Sequence, residues 1–214
     1  MKTFVLVATA AAALVLASTA AAALVPWTFV APGATCSPTS TFSAGVLHLS
    51  KPCTTATVAS AGATITGVSG QTFTSASFTL ASAAQCQGGS PRFNVVTNTG
   101  TFFLGCNNVT PTINSNGTAT YTFTAATIAA GGNQVPVPTG TISSVDVLID
   151  VQGTADLSNI TFNGQVQVPI TGGPTSKAQC KHGGWRNFSS PSFKNQGQCV
   201  SWFEHNVLHH GQGG

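Results

Sequence analysis

Short segments of alternating polarity, each closed by a turn signal, constrain this chain more than any other feature. They occupy residues 45–49, 63–68, 72–80, 92–97, 101–106, 119–125, 141–151, 156–162 and 165–170. The clearest reads Val145-Asp146-Val147-Leu148-Ile149-Asp150-Val151. Side chains alternate along a strand, so Val145, Val147, Ile149 and Val151 share one face, expected in the core, and Asp146, Leu148 and Asp150 share the other. Tyr121 and Phe123 alternate with threonines in the same way. Phe73 and Phe78 fall on opposite parities, which calls for a bulge or bend between them. Turn signals stand at Gly88-Gly89-Ser90-Pro91, Asn98-Thr99-Gly100 and Asn163-Gly164, the last a hairpin signal. Short strands at this spacing predict an antiparallel β-sandwich or barrel.

Only 5 % of residues are charged, and Thr, Ser, Gly, Ala and Val dominate. High charge with few apolar residues marks disorder, and neither holds here. The first 23 residues read as a secretory signal peptide: Lys2, an uncharged apolar run from Phe4 to Leu16, then small residues with cleavage expected near Ala22. The apolar run is about a dozen residues, short of the roughly 20 needed to span a bilayer. The expectation is a secreted or cell-envelope protein, not membrane-spanning after cleavage, with no nucleic-acid partner. Six cysteines fit an oxidising compartment. Of the possible pairings we favour the sequential one, Cys36–Cys53, Cys86–Cys106 and Cys180–Cys199. Each bond would contribute about 3 kcal/mol by loop entropy.

The expected organisation is a sandwich over 24–170, a Gly/Pro linker over 171–176 and a basic tail over 177–214, with a short helix over 198–208. The body carries Lys51 and Arg92 against Asp146, Asp150 and Asp156. In the tail, Lys177, Lys181, Arg186 and Lys194 face only Glu204. That asymmetry favours an acidic partner for the tail, such as an anionic wall polymer. Trp185 and Trp202 are candidates for stacking on a sugar, with Lys181 and Arg186 hydrogen-bonding to anionic groups. The competing reading places Trp185 and Phe188 in a mini-core over the Cys180–Cys199 staple. On the body, Arg92 beside a Gly-rich turn is a candidate ligand edge. Asp150 and Asp156, around Gly153, are candidate oxygen ligands for calcium, against the alternative of solvated acids.

Catalysis is poorly supplied. Glycoside hydrolysis needs two carboxyl groups about 5–9.5 Å apart, and there are four acids in all. No Gly-x-Ser-x-Gly elbow, phosphate loop or dinucleotide fingerprint occurs. Cys199 follows Lys-Asn-Gln-Gly-Gln in the manner of a cysteine protease, but too little chain follows to supply a distant His and Asn.

Two resemblances add to this. Gly88-Gly89-Ser90-Pro91-Arg92-Phe93, Phe103-Leu104-Gly105-Cys106 and Asp156-Leu157-Ser158-Asn159-Ile160-Thr161-Phe162-Asn163-Gly164 resemble secreted bacterial β-sandwich proteins. Their final strands share a Leu-Asp-Asn-Ile pattern with jelly-roll carbohydrate-binding modules; Ser158 stands in the place of that Asp. The segments from Cys180 to Phe188 and from Pro191 to Ser201 are similar to a C-terminal cassette of exported bacterial proteins. The resemblance implies a jelly-roll sandwich that binds carbohydrate or a cell-wall polymer without catalysis. The alternatives are a surface module contacting another protein and, last, a hydrolase.

Overall fold

Alternation resolves into two sheets in the structure, a computed structural model that describes residues 23–169, 174, 176–181, 183–188 and 192–206. The expected signal peptide up to residue 22, most of the linker, His182 and the chain end from 207 lie outside the described residues. The first sheet contains β1 (Ala23–Val30), β4 (Ala59–Ile65), β6 (Arg92–Thr97), β7 (Gly100–Gly105), β10 (Ile142–Ile149) and the short β13 (Val168–Pro169), in the order β13-β1-β4-β10-β6-β7. The second contains β2 (Thr39–Ser43), β3 (Val46–Lys51), β5 (Ala76–Leu80), β8 (Thr112–Ile113), β9 (Ala119–Phe123) and β11 (Gly153–Phe162), in the order β2-β3-β11-β5-β9-β8. A further strand, β12 (Gln165–Val166), hairpins onto β11 through Asn163-Gly164, both at positive φ.

The pairs β3–β11, β4–β10, β5–β9 and β6–β7 are antiparallel. They are the rungs of one long hairpin folded over on itself, with successive rungs falling in alternate sheets. That winding is the jelly roll, and it brings the first rung strand beside the last.

The core follows the predicted parity. Val145 and Val147 are fully buried and Ile149 nearly so. Phe93 of the first sheet meets Phe78 and Phe123 of the second, with ring centroids 5.5 and 5.8 Å apart. Each such buried ring contributes about 2–3 kcal/mol. The parity conflict at Phe73 is resolved by a bend. β5 starts only at Ala76, and the Asn163 side chain accepts from the Thr74 N–H at 2.8 Å and donates to the Thr72 carbonyl at 2.8 Å. Phe73 and Phe78 therefore both reach the core.

Three strands, β1, β2 and β8, fall outside the expected segments. β1 lies in a Pro/Ser/Thr-rich stretch, residues 24–42, and contains Pro26, which lacks an N–H for the ladder. Beyond Leu24 it is an edge strand, where proline is tolerated. β2 is short and Ser/Thr-rich, and pairs on β3.

The disulfides join Cys36–Cys53, Cys86–Cys106 and Cys180–Cys199, with Cα separations of 5.4, 5.8 and 5.6 Å. Among the described residues no helix is long and apolar enough to cross a membrane. The tail comprises 3₁₀ turns Lys177–Cys180 and Gly184–Asn187 and a helix, Gln196–Asn206. The helix begins two residues before the expected start because Asn195 caps it, its side-chain oxygen accepting from the Gln198 N–H at 2.9 Å.

Candidate functional site

The outward face of the first sheet carries a set of side chains that strand register places in rows. Trp27 of β1 lies opposite Gly62 of β4, Gly62 opposite Leu148 of β10, Leu148 opposite Arg92 of β6, and Arg92 opposite Gly105 of β7. The adjacent row runs Val25, Thr64, Asp146, Asn94, Phe103. Phe29 continues the outward parity of β1 beyond Trp27 and is half exposed, as is Phe103 at the far side.

Gly62 has a reason to be glycine that is independent of backbone conformation. A Cβ there would stand 2.7 Å from Trp27 Cζ2 and 2.7 Å from Leu148 Cβ. The missing side chain lets the indole lie on the sheet and cover Leu148, which is 5 % exposed although it points outward. The indole Nε1 donates to Asp146 Oδ1 at 3.1 Å, and Thr64 Oγ1 donates to the same oxygen at 2.6 Å. Trp27 is thus held flat, in one rotation, with part of its surface open.

Arg92 stands in the middle of the face. Its Nη1 and Nη2 meet the two Asp150 oxygens at 2.7 and 2.6 Å, a bidentate pair, and its Nε donates to Asn94 Oδ1 at 2.8 Å. Its guanidinium carbon lies 5.4 Å from the centre of the Phe103 ring. On either side of Arg92 is a depression. One, about 420 Å³, is lined by Trp27, Phe29, Thr57, Asn94, Asp146 and Asp150 among others. The second, about 390 Å³, lies among Gly88, Gly89, Phe103, Gly105, Asn107 and Val135. From β1 to β7 is four strand spacings, roughly 19 Å.

The segment 52–58 walls the first depression and is fixed from beneath. The Cys36–Cys53 bond anchors its start. Lys51 is fully buried and donates through Nζ to the carbonyls of Cys53 and Thr54. Gln152 donates to Thr55 Oγ1 from its backbone at 3.1 Å and to the Pro52 carbonyl from its side chain at 3.2 Å. A lysine in the interior is costly unless its donors are used, and here they hold the wall of this depression.

Of the residues around these depressions the sequence singles out two, Arg92 as a ligand edge and Asp150 as a calcium ligand. Trp27, Phe29 and Phe103 were missed. The signal for the first two is present, since Val25, Trp27 and Phe29 recur at period two, but it lies in the Pro/Ser/Thr-rich stretch 24–42, outside the expected alternating segments. In the tail, Trp185 and Trp202 pack on the cluster of Cys180, Phe188, Phe193 and Cys199, with Phe193 and Trp202 centroids 6.1 Å apart. This is the mini-core arrangement. Lys181 is exposed nearby, and Arg186 belongs to the Gly184–Asn187 turn, its side chain outside the described residues. Lys177 pairs with Glu204 at 2.6 Å.

Asp150 and Asp156, the candidate calcium ligands, are not brought together. Asp150 follows β10 and is engaged by Arg92. Asp156 lies on the outward face of the other sheet, where it meets His48 Nδ1 at 2.7 Å and accepts from Gln85 Nε2 at 3.0 Å. The fold sends the chain from one sheet to the other between them, around Gly153. Among the described residues no cluster of three or more His, Cys, Asp or Glu is placed to hold a metal. Comparison of the chain with family models, with curated proteins and with solved structures gave no match.

Proposed function

We propose that this is an exported protein that binds a neutral polysaccharide across the outward face of the β1-β4-β10-β6-β7 sheet. The observation that carries the reading is Trp27, laid flat over Gly62 and oriented by Asp146. A rigid, partly open indole offers an apolar surface to the C–H face of a sugar ring, and its immobilisation is settled before the ligand arrives. Phe29 and Phe103 offer further ring surface, and Asn94, Asp146 and Thr57 supply hydrogen-bonding groups beside them. The two depressions flank Arg92, which suits an extended chain of sugars over a single small ligand.

Neutrality of the ligand follows from charge. One guanidinium faces two carboxylates, Asp146 and Asp150, and the guanidinium is already committed to Asp150. The face carries an excess negative charge and disfavours an anionic polymer. Export is supported by the signal-like leader and by the three disulfides. The likeness to jelly-roll carbohydrate-binding modules points the same way.

The test is co-sedimentation of purified protein with insoluble neutral polysaccharides and with peptidoglycan, at low and high salt, beside Trp27→Ala. Retention on a neutral matrix that resists salt and weakens at least about tenfold in Trp27→Ala is expected. Retention only on anionic matrices, or unchanged in Trp27→Ala, would sink the reading.

A further inference from the structure

The outward face of the second sheet holds three side chains in the order needed for nucleophilic acyl transfer. His48 of β3 and Asp156 of β11 are direct cross-strand partners, and Ser43 of β2 sits diagonally from His48. Ser43 Oγ is 3.0 Å from His48 Nε2, and His48 Nδ1 is 2.7 Å from Asp156 Oδ1. The two ring nitrogens are therefore used by different partners, one hydroxyl and one carboxylate.

We propose that Ser43, His48 and Asp156 form a hydrolytic site for short-chain carboxylic esters. Asp156 can only accept from the imidazole when ionised, so it fixes the neutral ring with its proton on Nδ1 and leaves Nε2 as the acceptor for the serine hydroxyl. Asp156 is itself held. Gln85 Nε2 donates to its second oxygen at 3.0 Å, and its own backbone N–H donates to Gln85 Oε1 at 3.2 Å. This relay of nucleophile, base and orienting group is recognised by geometry and not by chain order.

Ser43 ends its strand at a two-residue turn, Ala44-Gly45, both at positive φ, with Ser43 paired to Val46. Such a turn leaves the N–H groups of its central residues outside the ladder. Neither donates to an acceptor among the described residues. We assign them as the backbone donors for the oxyanion, the Ala44 N–H following the nucleophile directly.

The step balances with water alone. Ser43 Oγ bonds to the ester carbonyl carbon as its proton passes to His48 Nε2. The carbon–oxygen bond to the alcohol then breaks, and the alcohol leaves with that proton. Water, deprotonated by His48, attacks the acyl-serine and releases the carboxylic acid, returning the proton to Ser43. His48 and Asp156 side chains are 43 % and 39 % exposed, so the site is shallow and suits small acyl groups or esters presented on a surface. Neither paired carboxylates nor a Gly-x-Ser-x-Gly elbow is needed here, since acyl transfer by such a relay takes one acid and is set by geometry.

The experiment exposes purified full-length protein to a fluorophosphonate probe, maps the adduct by peptide mass, and follows hydrolysis of 4-nitrophenyl acetate. Expected are an adduct on Ser43, its loss in Ser43→Ala, and a fall in kcat of about 10²-fold in Ser43→Ala and His48→Asn. Asp156→Asn should lower kcat with KM unchanged, as a positioning residue would, while thermal melting shows each variant folded. Absence of the Ser43 adduct in wild type, or hydrolysis unchanged in Ser43→Ala as bare imidazole catalysis would give, overturns the proposal.

Discussion

Trp27 occupies the space that a side chain on Gly62 would fill: a Cβ there would lie 2.7 Å from the indole Cζ2. The relation joins two strands and couples stability to the proposed binding face. Gly62→Ala should lift the ring off the sheet and expose Leu148. Overpacking of this kind costs about 1–3 kcal/mol. Thermal melting and polysaccharide retention measured on the same variant should both fall. Loss of retention with wild-type melting would mean that the indole moved without cost.

Charge on the face sets ligand class. With Asp146 and Asp150 both changed to Asn, Arg92 loses its bidentate partner and the face becomes net positive. The double variant should acquire retention on an anionic polysaccharide that falls with added salt, which wild type lacks. Co-sedimentation over a salt series checks this.

Lys51 connects the core to the cleft wall. Lys51→Met keeps the aliphatic stem but removes the charged donor from the Cys53 and Thr54 carbonyls, of which Thr54 keeps the Thr57 N–H at 3.0 Å. A charged hydrogen bond is worth about 1.5–3 kcal/mol. The expected result is a lower melting temperature and faster proteolytic cleavage within 52–58, mapped by mass spectrometry. Cleavage elsewhere first would disconnect Lys51 from the wall.

Tyr121 is the only tyrosine in the chain and is 2 % exposed. Desolvation by burial raises its pKa above the ordinary value of 10.0. In the alkaline range the unfolded chain loses this proton before the folded one, so the native state holds more protons and stability falls as pH rises. The contribution is fully present below pH 10.0 and is lost as pH climbs toward the folded value. Tyrosinate absorbance should appear late and together with unfolding. Tyr121→Phe should flatten the alkaline side of the stability curve.

What was legible in the sequence was the part governed by period two and by turns. Val145 to Ile149, Tyr121 with Phe123, the Asn163-Gly164 hairpin and the sequential disulfides all follow from local pattern, whereas Val151, expected on the buried face, lies past the strand end and is only partly buried. The set of side chains on the outward face of the first sheet was not legible for two reasons. β1 lies in a Pro/Ser/Thr-rich stretch, 24–42, outside the expected alternating segments, which left Trp27 and Phe29 unplaced. The contacts of Trp27 with Asp146, and of Arg92 with Asp150, join residues more than fifty positions apart, whose proximity only the jelly-roll winding creates. The same holds for His48 with Asp156, 108 positions apart, whereas Ser43 and His48, five apart, meet across the local β2–β3 hairpin. In the tail, composition drew attention to Trp185 and Trp202, which a small segment needs for its own mini-core.

The most direct measurement uses the three tryptophans, Trp27, Trp185 and Trp202, as separate reporters. Their indole N–H signals would be followed in a nitrogen–proton correlation spectrum, assigned with Trp27→Phe, while a soluble neutral oligosaccharide is added. The expected result is a saturable shift of the Trp27 signal, with those of Trp185 and Trp202 in place. Shifts confined to Trp185 and Trp202, or saturable binding with the Trp27 signal unmoved, would contradict a ligand on the sheet face.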